Sequence, residues 1–326
     1  MLLPSPSGRF RIDAVRSRDG RSNFVEELVE CFDGFLYFVV AERRPYLVDI
    51  SHAQAIKNHV VINSNSNPLE GRFGYIWGGY ASAQIAGAAA AIAKASCNSV
   101  TIEDGITGGI FGGDAIIGGG SDGTTGTGTA IAKHNIVALS GGTVTEGVYG
   151  GHAYISHTSG TATVTHNTVN ISGSPNLTTA FLYGGIISVS IGGSWSEDSD
   201  VFTGNTLNLS SQIEVAGVAN FEFLNFTLPA DTTAGDIMLS VSGTAVLGNG
   251  DGKDSEISVD ASAIDGQFLD VGDQFIILDA GTLEGTPVLK EVAPARFGAT
   301  LVYDFELYKD DNRINDGIAD ILTPNF

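Results

Sequence analysis

Short stretches of this chain alternate strictly between hydrophobic and polar residues. Asn167-Thr-Val169-Asn-Ile171-Ser-Gly173 sets Asn, Val and Ile on one side of an extended backbone and Thr, Asn and Ser on the other, and Ala162-Thr-Val164-Thr-His166 alternates just before it. Successive side chains of a strand point to opposite faces, so a period of two predicts β-strands with one buried side. The pattern returns. Asn58-His-Val-Val-Ile, Asn98-Ser-Val-Thr-Ile, Asn135-Ile-Val-Ala-Leu, Asn167-Thr-Val-Asn-Ile and Asn205-Thr-Leu-Asn-Leu follow one another at spacings of 40, 37, 32 and 38 residues. Four of these copies carry a second landmark downstream: Trp77-Gly78-Gly79-Tyr80, Phe111-Gly112-Gly113-Asp114, Tyr149-Gly150-Gly151-His152 and Tyr183-Gly184-Gly185-Ile186. Repeats of this length mark solenoids, propellers or arrays.

One such repeat cannot bury its own apolar face, but stacked repeats place Val on Val and Ile on Ile in a continuous core. The expected fold is all-β, a right-handed parallel β-helix (β-solenoid) with repeats of about 37 residues, the handedness following from the usual parallel crossover. Whether a repeat forms one coil or two stays open. A propeller is the structural rival, but each of its blades needs four antiparallel strands, and the repeats offer two or three good ones. The repeated Asn fits a turn, where it tolerates left-handed angles, and its amide can bond the amide one coil away. Losing one buried member of such a ladder is expected to cost about 1–3 kcal/mol. The Gly-Gly pairs allow a sharp bend after each aromatic residue.

Four regions follow. Residues 1–57 are an atypical leader or cap, residues 58–218 hold the repeats, residues 219–308 close the β-helix, and residues 309–326 form a polar, frayed tail. In the first region, Phe24 to Leu28 with Val29 and Phe32 read as a short amphipathic helix and Leu36 to Val40 as a strand. The alanine-rich segment from Gln84 to Lys94 reads as a helix or as a pair of small-residue strands. Two strands after Gly235-Asp236 and Gly272-Asp273 continue the spacing beyond the asparagines.

Composition narrows the class. Glycine makes up 43 of 326 residues, about twice the usual ~7%, without the period of collagen. The formal charge is −21. Residues 1–57 balance eight basic against eight acidic side chains, so the later residues carry the whole excess. An acidic surface repels phosphate backbones and anionic lipid heads, which argues against nucleic acid and bare anionic membrane as partners. Cys31 and Cys97 lie far apart, and a disulfide framework is not expected. No apolar run is long enough for a spanning helix, and the first residues make a poor secretory signal.

The units Asn167–Gly173 and Gly147-Val-Tyr149-Gly-Gly151, with the stretch from Phe223 through Pro229 to Ala245, resemble the passenger repeats and closing segment of bacterial autotransporters, the adhesin-like proteins of type V secretion. The resemblance covers about residues 58–308. It implies a bacterial cell-surface or extracellular location and a β-helical stalk. It also implies a role in adhesion to a host or matrix surface component or glycan. Such passengers are attached through a C-terminal translocator barrel, which nothing after residue 308 can supply, so membrane attachment would run through a translocator outside this chain.

Candidate chemistry is sparse. Glu103-Asp104, Glu197-Asp198 with Asp200, and Asp251 with Asp254 and Glu256 are the acidic groups that a polysaccharide lyase or hydrolase, the alternative function, would draw on. Their Gly/Ser-rich surroundings read as solvated turns. The runs Asn249–Glu256 and Asp310–Asp316 carry oxygen ligands at short spacing but miss the EF-hand order. Cys97, His134 and His166 each precede a repeat Asn and would stack on the solvent side if a repeat is one coil. Trp77, Tyr80, Phe111, Tyr149 and Tyr183 form an aromatic row, expected to pack inside the coil and otherwise to stack on sugar rings from outside. No catalytic residue, metal or cofactor is assigned, and a non-enzymatic adhesin or stalk is the expected function.

Overall fold

The computed structural model describes residues 27–32, 35–40, 52–63, 72–85, 90–119, 126–190, 193–250, 252–264, 269–292, 295–297 and 301–322. The chain divides into two units, Met1–Val48 and Asp49–Phe326. In the first, Glu27–Phe32 and Phe35–Val40 form an antiparallel hairpin that pairs Glu27 with Val40 and Phe32 with Phe35. The short helix expected here is therefore a strand from Glu27 onward, as its β-branched and aromatic residues favour. Phe24 to Glu26 lie outside the described residues.

The second unit is a parallel β-solenoid of about 6 turns with roughly 36-residue spacing. One repeat is one coil, and among the described residues each full coil has four strands. The strands of successive coils stack into four sheets. His52–Ile56, Ala91–Ser96, Thr127–Lys133, Ser159–Thr163 and Ser194–Trp195 make the alanine sheet. His59–Ile62, Ser99–Ile102, Ile136–Leu139, Thr168–Ile171 and Thr206–Leu209 open the asparagine sheet. Arg72–Trp77, Ile106–Phe111, Thr143–Tyr149 and Phe181–Tyr183 open the aromatic sheet. Tyr80–Ile85, Asp114–Gly119, His152–Ser156 and Ile186–Val189 make the histidine sheet. Gln84 to Lys94 thus spans the end of one strand and the start of the next, and is not a helix.

The interior has two lobes. Between the asparagine and aromatic sheets lie Val100, Ile102, Ile110, Val137, Leu139, Val148, Val169, Ile171 and Leu182. Between the alanine and histidine sheets a separate cluster is built mostly of alanine, with Ala83, Ala93, Ala95, Ala115, Ala130, Ala132 and Ala153 fully buried. Here strands of the two sheets approach within 8 Å at Cα, closer than the ~10 Å at which sheets usually pack. Alanine follows from that closeness. Ala130→Leu is expected to destabilise the solenoid by about 1–3 kcal/mol through overpacking. Ala138→Leu, on the outward face of its strand, should stay within about 0.5 kcal/mol. Urea midpoints at unchanged slope measure both.

Among the described residues the alanine and histidine sheets end near residue 195. Gly217–Ala219 then leads through Asn220, left-handed at φ 62, towards Phe223–Thr227 in the asparagine sheet. That sheet advances 38 residues from Asn170 to Asn208 but only 17 from Asn208 to Asn225. Phe221, Phe226 and Phe275 are fully buried in the single remaining lobe. Ile237–Val246 pairs in parallel with Gln274–Glu284, joining the two Gly-Asp strands. The frayed tail expected from residue 309 is instead half of a hairpin. Leu301–Asp310 and Arg313–Leu322 pair antiparallel, and the second strand docks antiparallel on Gln274–Glu284. Its polar composition hid the alternation Ile314, Asp316, Ile318 that faces the core.

Candidate functional site

The repeated asparagines stand at the waist between the lobes. Asn98, Asn135, Asn167 and Asn205 are buried, and the amides of Asn98, Asn135 and Asn167 are each tied to the next coil. Asn135 shows the unit. Its Oδ1 accepts from the backbone N–H and Nδ2 of Asn98, at 3.1 and 3.0 Å. Its Nδ2 donates to Oδ1 of Asn167 at 2.9 Å and to the Ala95 carbonyl at 3.1 Å. Asn58 feeds the first step, donating to Asn98 Oδ1 at 3.0 Å, and Asn205 ends the row on the carbonyls of Val164 and Val201. Two acceptor and two donor capacities of the side-chain amide are thus filled by protein groups. The left-handed angle falls one residue earlier than the asparagine. Lys57, Cys97, His134 and His166 have φ between 56 and 61, which leaves the asparagine extended with its amide inward.

The Gly-Gly pairs face the ladder across the waist. A Cβ on Gly113 would lie 2.6 Å from Asn135 Nδ2, and one on Gly151 2.8 Å from Asn167 Nδ2. Gly78, Gly112, Gly150 and Gly184 each abut the backbone of the following coil, while Gly79 and Gly185 complete the glycine face. These glycines are required by close approach, since none has a positive φ. The Asn and Gly landmarks are therefore two halves of one internal device and face away from solvent.

The aromatic row lies outside the coil and not inside it. Ile76, Ile110, Val148 and Leu182 point inward, so by alternation Trp77, Phe111, Tyr149 and Tyr183 point outward. Their rings stack from coil to coil with centroids 6.0, 4.6 and 5.5 Å apart and planes within 10°. Ring faces are thereby spent on one another, which stabilises the row by the geometry such pairs prefer. Tyr75, Tyr80 and Phe181 flank it and are exposed. Tyr75 donates to Oε2 of Glu146 at 2.6 Å, and that bond pushes its phenol above the usual range. Burial, then Asp114, does the same for Tyr80.

On the adjoining histidine sheet, the position after each Gly-Gly pair holds Tyr80, Asp114, His152 and Ile186 in register. His152 Nδ1 lies 2.8 Å from Oδ1 of Asp114, and its Nε2 lies 3.1 Å from Oγ of Ser188. The ring sits 5.4 Å from that of Phe111. This grouping escapes a linear reading because its members are 38 and 36 residues apart. The signal was available in the motif itself, since Asp114 and His152 occupy one repeat position.

The other candidates stay apart. Glu103 and Asp104 lie at an exposed turn, where Asp104 caps the Gly105 amide. Glu197 and Asp198 are exposed. Asp200 accepts from the amides of Phe202 and Thr203. Against the cost of burial, these bonds, the Thr203 hydroxyl and Lys253 hold its carboxyl below the usual range. Asp254 is exposed and Glu256 pairs with Lys290 at 2.9 Å, while Asp251 lies outside the described residues. Asn312 bonds the backbone of Gly281 and Leu283, and Asn315 and Asp316 are buried, so the Asp310–Asp316 run does not converge. Cys97, His134 and His166 line the exposed corner as one-coil stacking requires, with the two imidazoles 5.1 Å apart. Among the described residues no three His, Cys, Asp or Glu side chains gather as a metal site, and no helix is long and apolar enough to cross a membrane. Comparison of the chain with protein-family models, with curated proteins and with solved structures finds no match in any of the three.

Proposed function

We propose that the protein is a bacterial surface-displayed or secreted β-helical passenger, a rigid stalk whose outer aromatic face makes adhesive contacts. The observation that carries this reading is the exposed aromatic strip. Tyr75, Tyr80 and Phe181 present rings to solvent beside a row of four stacked rings. Contiguous apolar surface of this kind is costly to leave in water and marks contact sites. The satisfied amide ladder beneath supplies the rigidity that makes such a face pre-organised. The partner that fits is an uncharged glycan or matrix surface, because rings stack on apolar sugar faces while the charge of −21 repels polyanions.

Binding to immobilised glycans and matrix proteins tests this. The double variant Tyr75→Ala, Phe181→Ala leaves the stacked row in place. It should weaken a bound ligand at least roughly tenfold, as loss of an aromatic anchor does. Unchanged binding by that variant would remove the aromatic face from adhesion. Absence of binding to every surface would leave a spacer.

A further inference from the structure

Beyond adhesion, we infer that Ser188, His152 and Asp114 form a nucleophilic site on the histidine sheet that cleaves small neutral carboxylic esters. The geometry fixes the roles. A carboxylate only accepts hydrogen bonds, so at 2.8 Å from Asp114 Oδ1 the imidazole Nδ1 carries the proton. In the neutral ring Nε2 is then the acceptor, and the Ser188 hydroxyl, 3.1 Å away, donates to it. That is the order nucleophile, base, positioning carboxylate by which such triads are recognised on unrelated folds.

Burial is graded in the sense that the chemistry needs. The Asp114 side chain is 7% exposed and that of His152 14%, which shields the Asp–His bond. Ser188 is half-exposed and Val189 beside it is exposed, so a substrate carbonyl can reach the hydroxyl. Among the described residues Ile186–Val189 is the last strand of its sheet. The amides of Ile186 and Ser190 bond the preceding coil, so by the alternation of a parallel ladder the Val189 N–H faces the other edge, on which no strand of the described residues pairs. It lies on the side of Ser188 away from His152, where an oxyanion would form.

The reaction balances with water as the only co-reactant. Ser188 Oγ bonds the ester carbonyl carbon as its proton passes to His152 Nε2. The bond to the alcohol oxygen breaks, and the alcohol leaves with that proton. Water then attacks the acyl-serine, giving a proton to His152, which returns it to Ser188 Oγ as the carboxylic acid departs. Asp114 touches neither substrate nor water and acts by holding the ring. A shallow site with one edge amide suits an activated or alkyl ester better than an amide, whose poorer leaving group demands stronger oxyanion support. The acidic surface disfavours anionic esters. Phe111, against the imidazole, places the site at the border of the aromatic strip.

The test uses the full chain with a fluorophosphonate probe, peptide mapping and p-nitrophenyl acetate turnover. Ser188 should carry the phosphonate adduct, and the full chain should turn over the ester. Ser188→Ala should abolish both, and His152→Gln should lower both by roughly a hundredfold or more. Asp114→Asn should lower turnover and shift or flatten the pH profile, which a merely structural role would not do. Ser190→Ala, whose hydroxyl bonds Ser156 and not His152, should label normally, and an unchanged melting temperature establishes folding. Labelling elsewhere, no labelling of Ser188, or equal turnover by Ser188→Ala would overturn the assignment. Because ligand binding is scored separately with the Tyr75 and Phe181 variants, failure here leaves the adhesive reading standing.

Discussion

Asn135→Ala should destabilise the solenoid by about 3–5 kcal/mol, far more than an ordinary side-chain truncation. The magnitude comes from what the change strands. The Asn98 backbone N–H and one Nδ2 proton lose their acceptor, and the Ala95 carbonyl loses its donor. All three lie at a buried waist, and an unsatisfied buried group costs about 1–3 kcal/mol. Water cannot substitute easily, because the glycine face closes the opposite side: a Cβ on Gly113 would already clash with the Asn135 amide at 2.6 Å. Asn58→Ala is the internal control. Asn58 is half-exposed, and its removal takes one side-chain bond from Asn98 Oδ1, which keeps the Asn58 amide N–H at 3.1 Å. That change should cost about 1 kcal/mol. Equal losses for the two variants in urea unfolding would mean that the ladder is not the device that locks the waist.

The ladder and the coil were legible because they rest on one-dimensional periodicity. Asn at a fixed place before an alternating Val and Ile needs no register to be recognised, and stacking follows from the inability of one repeat to bury itself. Three features needed the third dimension. Alanine at Ala93, Ala95 and Ala130 serves equally in a helix or in a close-packed strand, and only the approach of the histidine sheet decides between them. The aromatic residues precede Gly-Gly bends, and a residue at a bend points in or out according to a one-residue phase, which here turned them outward. His152 meets Asp114 and Ser188 only because successive coils bring positions 38 and 36 residues apart side by side. The terminal hairpin was obscured for a different reason. Arg313–Leu322 carries Asp316 on the inward face, where a hydrophobic residue is the rule.

Asp316 gives the second large effect. Its side chain is fully buried, neither carboxylate oxygen has a hydrogen-bond partner among the described residues, and burial pushes its pKa up to about 7. The register places it between Phe275 of one neighbouring strand and Leu307 of the other. A carboxyl whose folded pKa exceeds its unfolded value of ~3.9 binds its proton more tightly when folded. Its contribution is therefore complete below pH ~4 and disappears as the pH rises through about 7. At 1.36 kcal/mol per unit the full span is on the order of 4 kcal/mol. Other carboxylates oppose this trend. The Thr233 amide holds Asp236 low and the Ser262 hydroxyl holds Asp260 low, so their contributions are lost as the pH falls through those depressed values. Comparison with Asp316→Asn cancels these, since only the titration at position 316 differs. Native-state hydrogen exchange of the Arg313–Leu322 amides reads the hairpin locally. Raising the pH from 4.5 to 8 should narrow the gap in opening free energy, or reverse it in favour of Asp316→Asn, by about 3–4 kcal/mol. A gap that stays constant across this range would show that Asp316 keeps an ordinary carboxyl pKa, by finding a partner or water that the buried hairpin is not expected to admit.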